Sequence, residues 1–193
     1  MNGLRFRFDA AQHIYTLWPS GEQLPHITGM LLQAGELSEA WYTEEGSARG
    51  KEVHALTASY DLGAVDLLSC ASPKYRGYLL AHAAAMRALR PEIIAVEEAR
   101  VHSVLRFGGR TDRVWRLDGR HAVCDEKTGG PEPAHAIQTA LQAILEAERW
   151  GISPASLGRY CLYLRGAGRY KLEEFTRGRD LDRAYRIIRQ CCV

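Results

Sequence analysis

The chain has 193 residues, 46% of them apolar, enough to bury one substantial core, since domains commonly run to about 100 to 200 residues. Its 25 Lys and Arg nearly balance 23 Asp and Glu, and the formal net charge of +2 excludes a basic tail as the mark of a nucleic-acid partner. Cys70, Cys124, Cys161, Cys191 and Cys192 are odd in number and form no C-x-x-C pair, and the N-terminus carries no basic segment followed by an apolar run. These features predict a reducing, cytosolic setting without a secretion signal, and no apolar stretch reaches the roughly 20 residues that cross a bilayer.

In chain order, LRFRFDAAQHIYTLWPSGEQLPHIT alternates apolar and polar residues around Asp9 to Gln12 and turns again at Pro19-Ser20-Gly21, predicting a small antiparallel hairpin. Thr28 is placed to cap a short helix through Leu32. Ser38 is placed to cap another, leading through Trp41 toward a longer helix from about Ser47 to Tyr60 that carries His54. Ser72-Pro73 starts a helix reaching about Arg90, which Pro91 ends. From Glu92 the runs IIAVEEARVHS, GGRTDRVWRL and HAVCDEK predict a three-strand core, the last two joined by a hairpin at Asp118-Gly119. Thr128, Gly129, Gly130, Pro131 and Pro133 break the chain before a helix from about Ala134 to Trp150. Its stripe of Ile137, Leu141, Ile144 and Leu145 is expected to pack on the sheet. Two more strands, RYCLYLR and RYKLEEF, flank Gly166-Ala167-Gly168, and an amphipathic helix runs from about Leu181 to Gln190.

The chemistry lies in the strands. Asp112 and Asp125 stand on adjacent strands with a tight turn between, so pairing brings two carboxylates to one edge, a site for a hard cation. Lys127 follows Asp125 by two residues and shares its face. An ammonium beside a metal-bound water and a phosphate fits phosphodiester hydrolysis. Taken alone, a D-x-K pair on a strand reads first as a surface ion pair, and the surrounding sequence overturns that reading. Arg100, Arg106, Arg110, Arg113, Arg116 and Arg120 crowd one segment, either as a basic stripe for phosphates or as solvated outward positions.

FGGRTDRVW followed by HAVCDEKTGG resembles the G-x-x-D and D-x-K-T-G elements of RecB-like nucleases within the PD-(D/E)XK superfamily, a group that includes CRISPR-associated and phage exonucleases. Gly109 and Asp112 come first, then Asp125, Lys127, Thr128 and Gly129. Upstream, RGKEVH resembles the G-x-x-x-H helix, with Gly50 allowing close helix approach and His54 as an imidazole ligand. Downstream, AIQTALQAIL resembles the Q-x-x-x-Y helix: Gln138 matches and Gln142 stands where the family has tyrosine. Gln142 then either contacts a phosphate or base through its amide or is simply an exposed helix residue. The opening and closing hairpins resemble those of phage and prophage members, so the likeness covers nearly the whole chain.

The resemblance implies an α/β (α+β) fold with a restriction-endonuclease-like core, a central mixed β-sheet flanked by helices, and an N-terminal β-hairpin. It is expected as one domain over residues 1–193, with the hairpin and short helix in 1–35, the G-x-x-x-H helical segment in 36–90 and the sheet core in 91–193. His54, Asp112, Asp125 and the backbone carbonyl of Glu126 are implied as ligands of Mg²⁺ or Mn²⁺. Lys127 would position the attacking water and Gln138 the scissile strand, with Arg49, Arg110 and Thr128 on the DNA. A strand glutamate often precedes G-x-x-D; spacing to Val101 favours Glu98, whereas apolar alternation favours Glu97. The cysteines do not reproduce the spacing of the iron–sulfur relatives, so no cluster is expected and they are read as buried apolar residues. The implied activity is an exonuclease in phage or prophage DNA recombination, replication or repair, in the cytoplasm of a bacterial cell or phage-infected host. Its implied partners are DNA and a single-strand annealing or recombination protein, with self-association into an oligomer open. The rivals are an inactive nuclease-fold DNA-binding accessory protein, a structure-specific endonuclease, and a nuclease acting on RNA.

Overall fold

Alternating residues fold at the N-terminus as three strands rather than a simple hairpin: β1 (Phe6–Asp9), β2 (Ile14–Leu17) and the short β3 (Gln23–Leu24), antiparallel in that order. The computed structural model describes residues 4–38, 43–65 and 72–192; Trp41 and Cys70 lie outside them. Asp9 turns β1 into β2 by accepting from the amides of Ala11 and Gln12. Tyr15, Leu17 and Leu24 then close over Val101 of the central sheet.

Helix α1 (Ile27–Gln33) is capped by His26, whose Nδ1 accepts from the Gly29 amide at 3.3 Å, so Thr28 sits inside the helix rather than at its cap. Helix α2 (Glu44–Asp61) begins three residues before Ser47, because Thr43 Oγ1 accepts from the Gly46 amide at 3.1 Å and Glu44 and Glu45 suit the positive end of the helix. Helix α3 (Arg76–Leu89) starts later than Ser72-Pro73 suggests. The Ser72 carbonyl is taken up by a turn to Tyr75 and Arg76, and the helix proper follows.

The central sheet runs β4 (Glu92–Val101), β5 (Gly108–Leu117), β6 (Arg120–Lys127), β7 (Gly158–Arg165) and β8 (Arg169–Glu174) in sequential order. Asp118 and Gly119, with φ of 49° and 77°, make the left-handed turn that the β5–β6 hairpin requires. Only β6 and β7 pair in parallel, joined by the crossover helix α4 (Pro133–Trp150), so the sheet is mixed. Of Leu141, Ile144 and Leu145, Leu145 reaches the sheet at Gly109 of β5, and the three also pack away from it. They meet Ile27, Met30 and Leu31 of α1 and Ile187 and Ile188 of α5 (Gly178–Cys191), while the small Ala143 and Ala147 approach Val123 of β6. Helix α4 is buried on all sides from Thr139 to Ala147, so its large residues reach outer helices and its alanines let it come close to the strands. Gly109 belongs to the same contact: a Cβ there would stand 2.5 Å from Ile27 Cδ1 and 2.9 Å from Leu145 Cδ2. Cys124 and Cys161 are buried and free, and Cys191 and Cys192 are half-buried.

The opposite face of the sheet is covered by α2 and α3, with Val53, Ala81 and Ala85 against Trp115, Cys124, Leu162 and Leu164. A polar cluster is sealed into this face. His82 stands 2.7 Å from Asp61 Oδ1 and 2.6 Å from Glu126 Oε1, Arg113 Nε ion-pairs with Asp61, and Thr57 Oγ1 donates to Glu126 Oε2 at 2.6 Å. Burial opposes charge on His82, but Glu126 and Asp61 outweigh it and hold the imidazole up to about 9. Burial likewise disfavours the Glu126 carboxylate, yet Arg113 and His82 hold it well below the ordinary glutamate range. Among the described residues no helix is long and apolar enough to cross a membrane.

Two outcomes follow for stability. Gly109→Ala is expected to lower it by about 1–3 kcal/mol through overpacking, measured by denaturant unfolding. His82 holds its proton more tightly folded than at the ordinary 6.5, so its contribution is complete below that pH and disappears as pH rises through about 9. A shift of that size corresponds to about 3 kcal/mol. The melting temperature of the wild type should therefore fall across this window, whereas His82→Gln should start lower and lack the alkaline fall.

Candidate metal centre

Pairing of β5 with β6 stops at Arg113 opposite Cys124, which leaves Asp112 and Asp125 side by side where the strands part. Asp112 Oδ2 accepts from the Glu126 amide at 2.8 Å, so the carboxylate itself ties the two strand ends. Helix α2 delivers His54, whose Nε2 lies 3.0 Å from the Glu126 carbonyl oxygen and whose Nδ1 lies 3.4 Å from Asp112 Oδ2 and 3.5 Å from Glu97 Oε1. His54, Glu97 and Asp112 each offer a ligand atom within 4.8 Å of the others, a three-donor set open to a cation.

Asp125 stands beside this set but is held by other groups. Gln138 and Gln142, one turn apart on α4, both donate to its Oδ1, at 2.8 and 2.9 Å, and Lys127 Nζ lies 2.5 Å from its Oδ2. Gln142 is thus a buried neighbour of the carboxylates, not an exposed helix residue. Burial raises the Asp125 carboxyl against the pull of Lys127, with Asp112 adding to the rise. Burial works against charge on Lys127 and His54 as well, yet Asp125 and Asp112 hold the ammonium above the ordinary lysine range, and Asp112 and Glu97 hold His54 well above that of histidine.

Donor chemistry fits a divalent cation. Glu97 Oε1 and Gln142 Oε1 are buried acceptors that receive no hydrogen bond among the described residues, and both border the cleft around His54. Two buried acceptors without a donor, beside Asp112 and Asp125, leave room for a cation or the water it carries.

Glu97, not Glu98, faces His54. Its φ of 50° breaks the strand alternation, and opposite it β5 changes phase: Thr111 bonds Glu146 on α4, whereas Arg113 bonds Asp61 on α2. Glu98 turns to Arg149 and Arg100. The arginines of the expected basic stripe are largely consumed by partners: Arg106 pairs with Glu22, Arg116 with Glu92, Arg120 with Glu174, Arg100 with Glu146, and Arg113 is buried. Arg110 alone of the six lines the cleft, 2.9 Å from Glu97 Oε2. Arg49 Nε donates to Thr128 Oγ1 at 3.3 Å, tying α2 to the loop after β6. Gly50 makes no close helix approach; a Cβ there would meet nothing within 4 Å, and the residue lines open cleft.

Around these groups three hollows share Lys127 and Gln138. A chamber of about 170 Å³ holds the carboxylates, a wider one of about 510 Å³ runs past Lys51 and Arg110, and a third of about 370 Å³ lies between Gly35–Ser38 and Gly129–His135. His13, Thr28 and Lys51 also line them and were missed in the sequence. His13 sits at φ 57° in the β1–β2 turn, a conformation that no local pattern announces.

Comparison with known proteins gives the family. A model of the PD-(D/E)XK nuclease superfamily matches residues 9–185. The crystal structure of SSO0001 aligns with 74% of this chain and 84% of its own at 14% identity and a TM-score of 0.36, too distant to bear on the site. No curated protein matches the sequence. With the family model spanning nearly the whole sequence, the chain belongs to the PD-(D/E)XK nuclease superfamily, whose members cleave nucleic acid with divalent metal ions.

Proposed function

We propose that this protein is a Mg²⁺- or Mn²⁺-dependent deoxyribonuclease of the RecB-like branch that degrades DNA from an end. The observation that carries this reading is the convergence of His54, Glu97 and Asp112 beside the Asp125–Lys127 pair, at two hollows that share His54, Arg110, Lys127 and Gln138. His54, Asp112 and Glu97 would hold the cation, with Asp125 and the Glu126 carbonyl as the further donors at hand. A bound divalent ion lowers the pKa of its water and offsets charge developing on phosphorus. Lys127 orients the attacking water and meets the phosphate. Gln138 and Gln142 fix Asp125 by two amide donors, and Gln138 also reaches the scissile strand. Arg110 and Lys51 take flanking phosphates along the wider hollow, while the Arg49–Thr128 bond steadies the loop beside them. Imidazole in the ligand set is softer than carboxylate alone, which favours Mn²⁺ at least as much as Mg²⁺. The end-processing role rests on the likeness of the G-x-x-D and D-x-K-T-G elements to those of phage exonucleases, and the same likeness supports a setting in phage or prophage recombination beside a single-strand annealing protein.

End-labelled linear DNA incubated with Mg²⁺ or Mn²⁺ should be shortened from its termini, with all activity lost in excess chelator. Lys127→Ala and Asp125→Ala should each lower kcat by about 10²-fold or more while DNA binding persists. Undiminished cleavage in chelator would sink the metal mechanism. Cutting of a covalently closed circle would make the enzyme an endonuclease, degradation of RNA in preference would reassign the substrate, and equal binding without cleavage by wild type and Lys127→Ala would leave a DNA-binding accessory protein.

A further inference from the structure

Helix α2 carries His54 into the site, yet it has almost no apolar face with which to dock. Of its 18 residues only Val53 and Thr57 are buried. A helix this polar needs another attachment, and a stripe at i, i+3 and i+7 supplies it: His54, Thr57 and Asp61. Asp61 joins Arg113 of β5 and His82 of α3, and Thr57 Oγ1 donates to Glu126 Oε2 while receiving Arg113 Nη2 at 3.0 Å. Side-chain exposure of Asp61, His82, Arg113 and Glu126 is 0–1%, and two carboxylates are matched by two cations. A cluster balanced in this way projects little net field into the cleft, so what it transmits is geometry.

We propose that Asp61, His82 and Arg113 are positioning residues that set the affinity of the centre for its divalent cation from the far side of the sheet. The inference rests on the metal-nuclease reading above and adds to it a determinant of metal binding outside the ligand set. Three links carry the effect. Arg113 Nη1 donates to the Asp112 carbonyl at 2.7 Å. Glu126 is gripped by the cluster through its side chain, while its amide holds the Asp112 carboxylate and its carbonyl faces His54. Thr57, whose one hydroxyl hydrogen goes to Glu126 Oε2, also has its Oγ1 3.2 Å from the His54 carbonyl, one turn back along α2. Removing one charge leaves a buried counter-charge unpaired. The helix then loses its register on the strands, and His54 its fixed place beside Glu97 and Asp112.

Calorimetric titration of Mn²⁺ into the wild type, Asp61→Asn, Thr57→Val and Leu157→Ala, below the melting temperature of each, separates positioning from stability. Leu157 lies in another core cluster with Val123, Ala143 and Ala147, so its truncation destabilises the fold without touching α2. Asp61→Asn is expected to weaken Mn²⁺ binding about tenfold or more, as loss of an outer-shell partner does elsewhere, and Thr57→Val in the same direction, with Leu157→Ala within about twofold of wild type. At saturating Mn²⁺ the kcat of Asp61→Asn should recover most of the wild-type value. Equal dissociation constants for Asp61→Asn and Leu157→Ala would reduce the cluster to a structural role and overturn the inference. If Asp61→Asn does not fold, wild-type affinity in Thr57→Val overturns it instead. A wild type that binds no Mn²⁺ defeats the metal reading itself.

Discussion

The hydrogen bond from the Glu126 amide to Asp112 Oδ2 holds the site together at the point where the sheet would otherwise open. Backbone pairing between β5 and β6 ends one residue short of Asp112, while β6 continues against β7 through Asp125 and Lys127. Beyond that point β6 stays with β7 and β5 with β4, and a carboxylate bridges the gap between them. That bridge aims Asp112, turns the Glu126 carbonyl toward His54, and leaves Asp125 and Lys127 on the α4 side with Glu126 on the other.

Because neighbouring strand residues face opposite ways, β6 separates two charged environments only one residue apart. Below it, Asp61, Glu126, Arg113 and His82 compensate one another. Above it, Glu97, Asp112 and Asp125 crowd together with His54, Lys127 and Arg110 between them. Unit charges about 4 Å apart near a protein surface interact by about 4 kcal/mol, so such carboxylates are costly unless cations sit among them. The proton on His54 serves that purpose, and a divalent ion among the same oxygens serves it better, carrying twice the charge.

Sequence made the carboxylate–lysine geometry legible because it depends on short-range rules: a two-residue turn at Asp118-Gly119 and the i, i+2 face shared by Asp125 and Lys127. His54 and Gln138 were legible through motif spacing on helices. Glu97 was legible only as one of two, since alternation pointed to it and spacing to Val101 to Glu98, and the left-handed φ at Glu97 has no signal in the sequence. The arginine stripe stayed open between two readings for a different reason. Clustering in sequence says nothing of partners as distant as Glu22 or Glu174, and those partners consume the charge. Asp61 and His82 gave no signal, being single polar residues on separate helices that meet only when both dock on the sheet.

Gln142 shows how a departure from a family pattern is absorbed locally. Its amide nitrogen and that of Gln138 converge on one oxygen of Asp125, leaving the other oxygen to Lys127. A phenol at this place would offer one donor at the end of a rigid ring, whereas the amide offers a donor to Asp125 and a buried acceptor, Oε1, beside the cleft. That acceptor suits a donor on a water or a nucleotide rather than a phosphate, whose oxygens it would repel. With glutamine here, the α4 side of the cleft presents a hydrogen-bond acceptor while Asp125 keeps both amide donors.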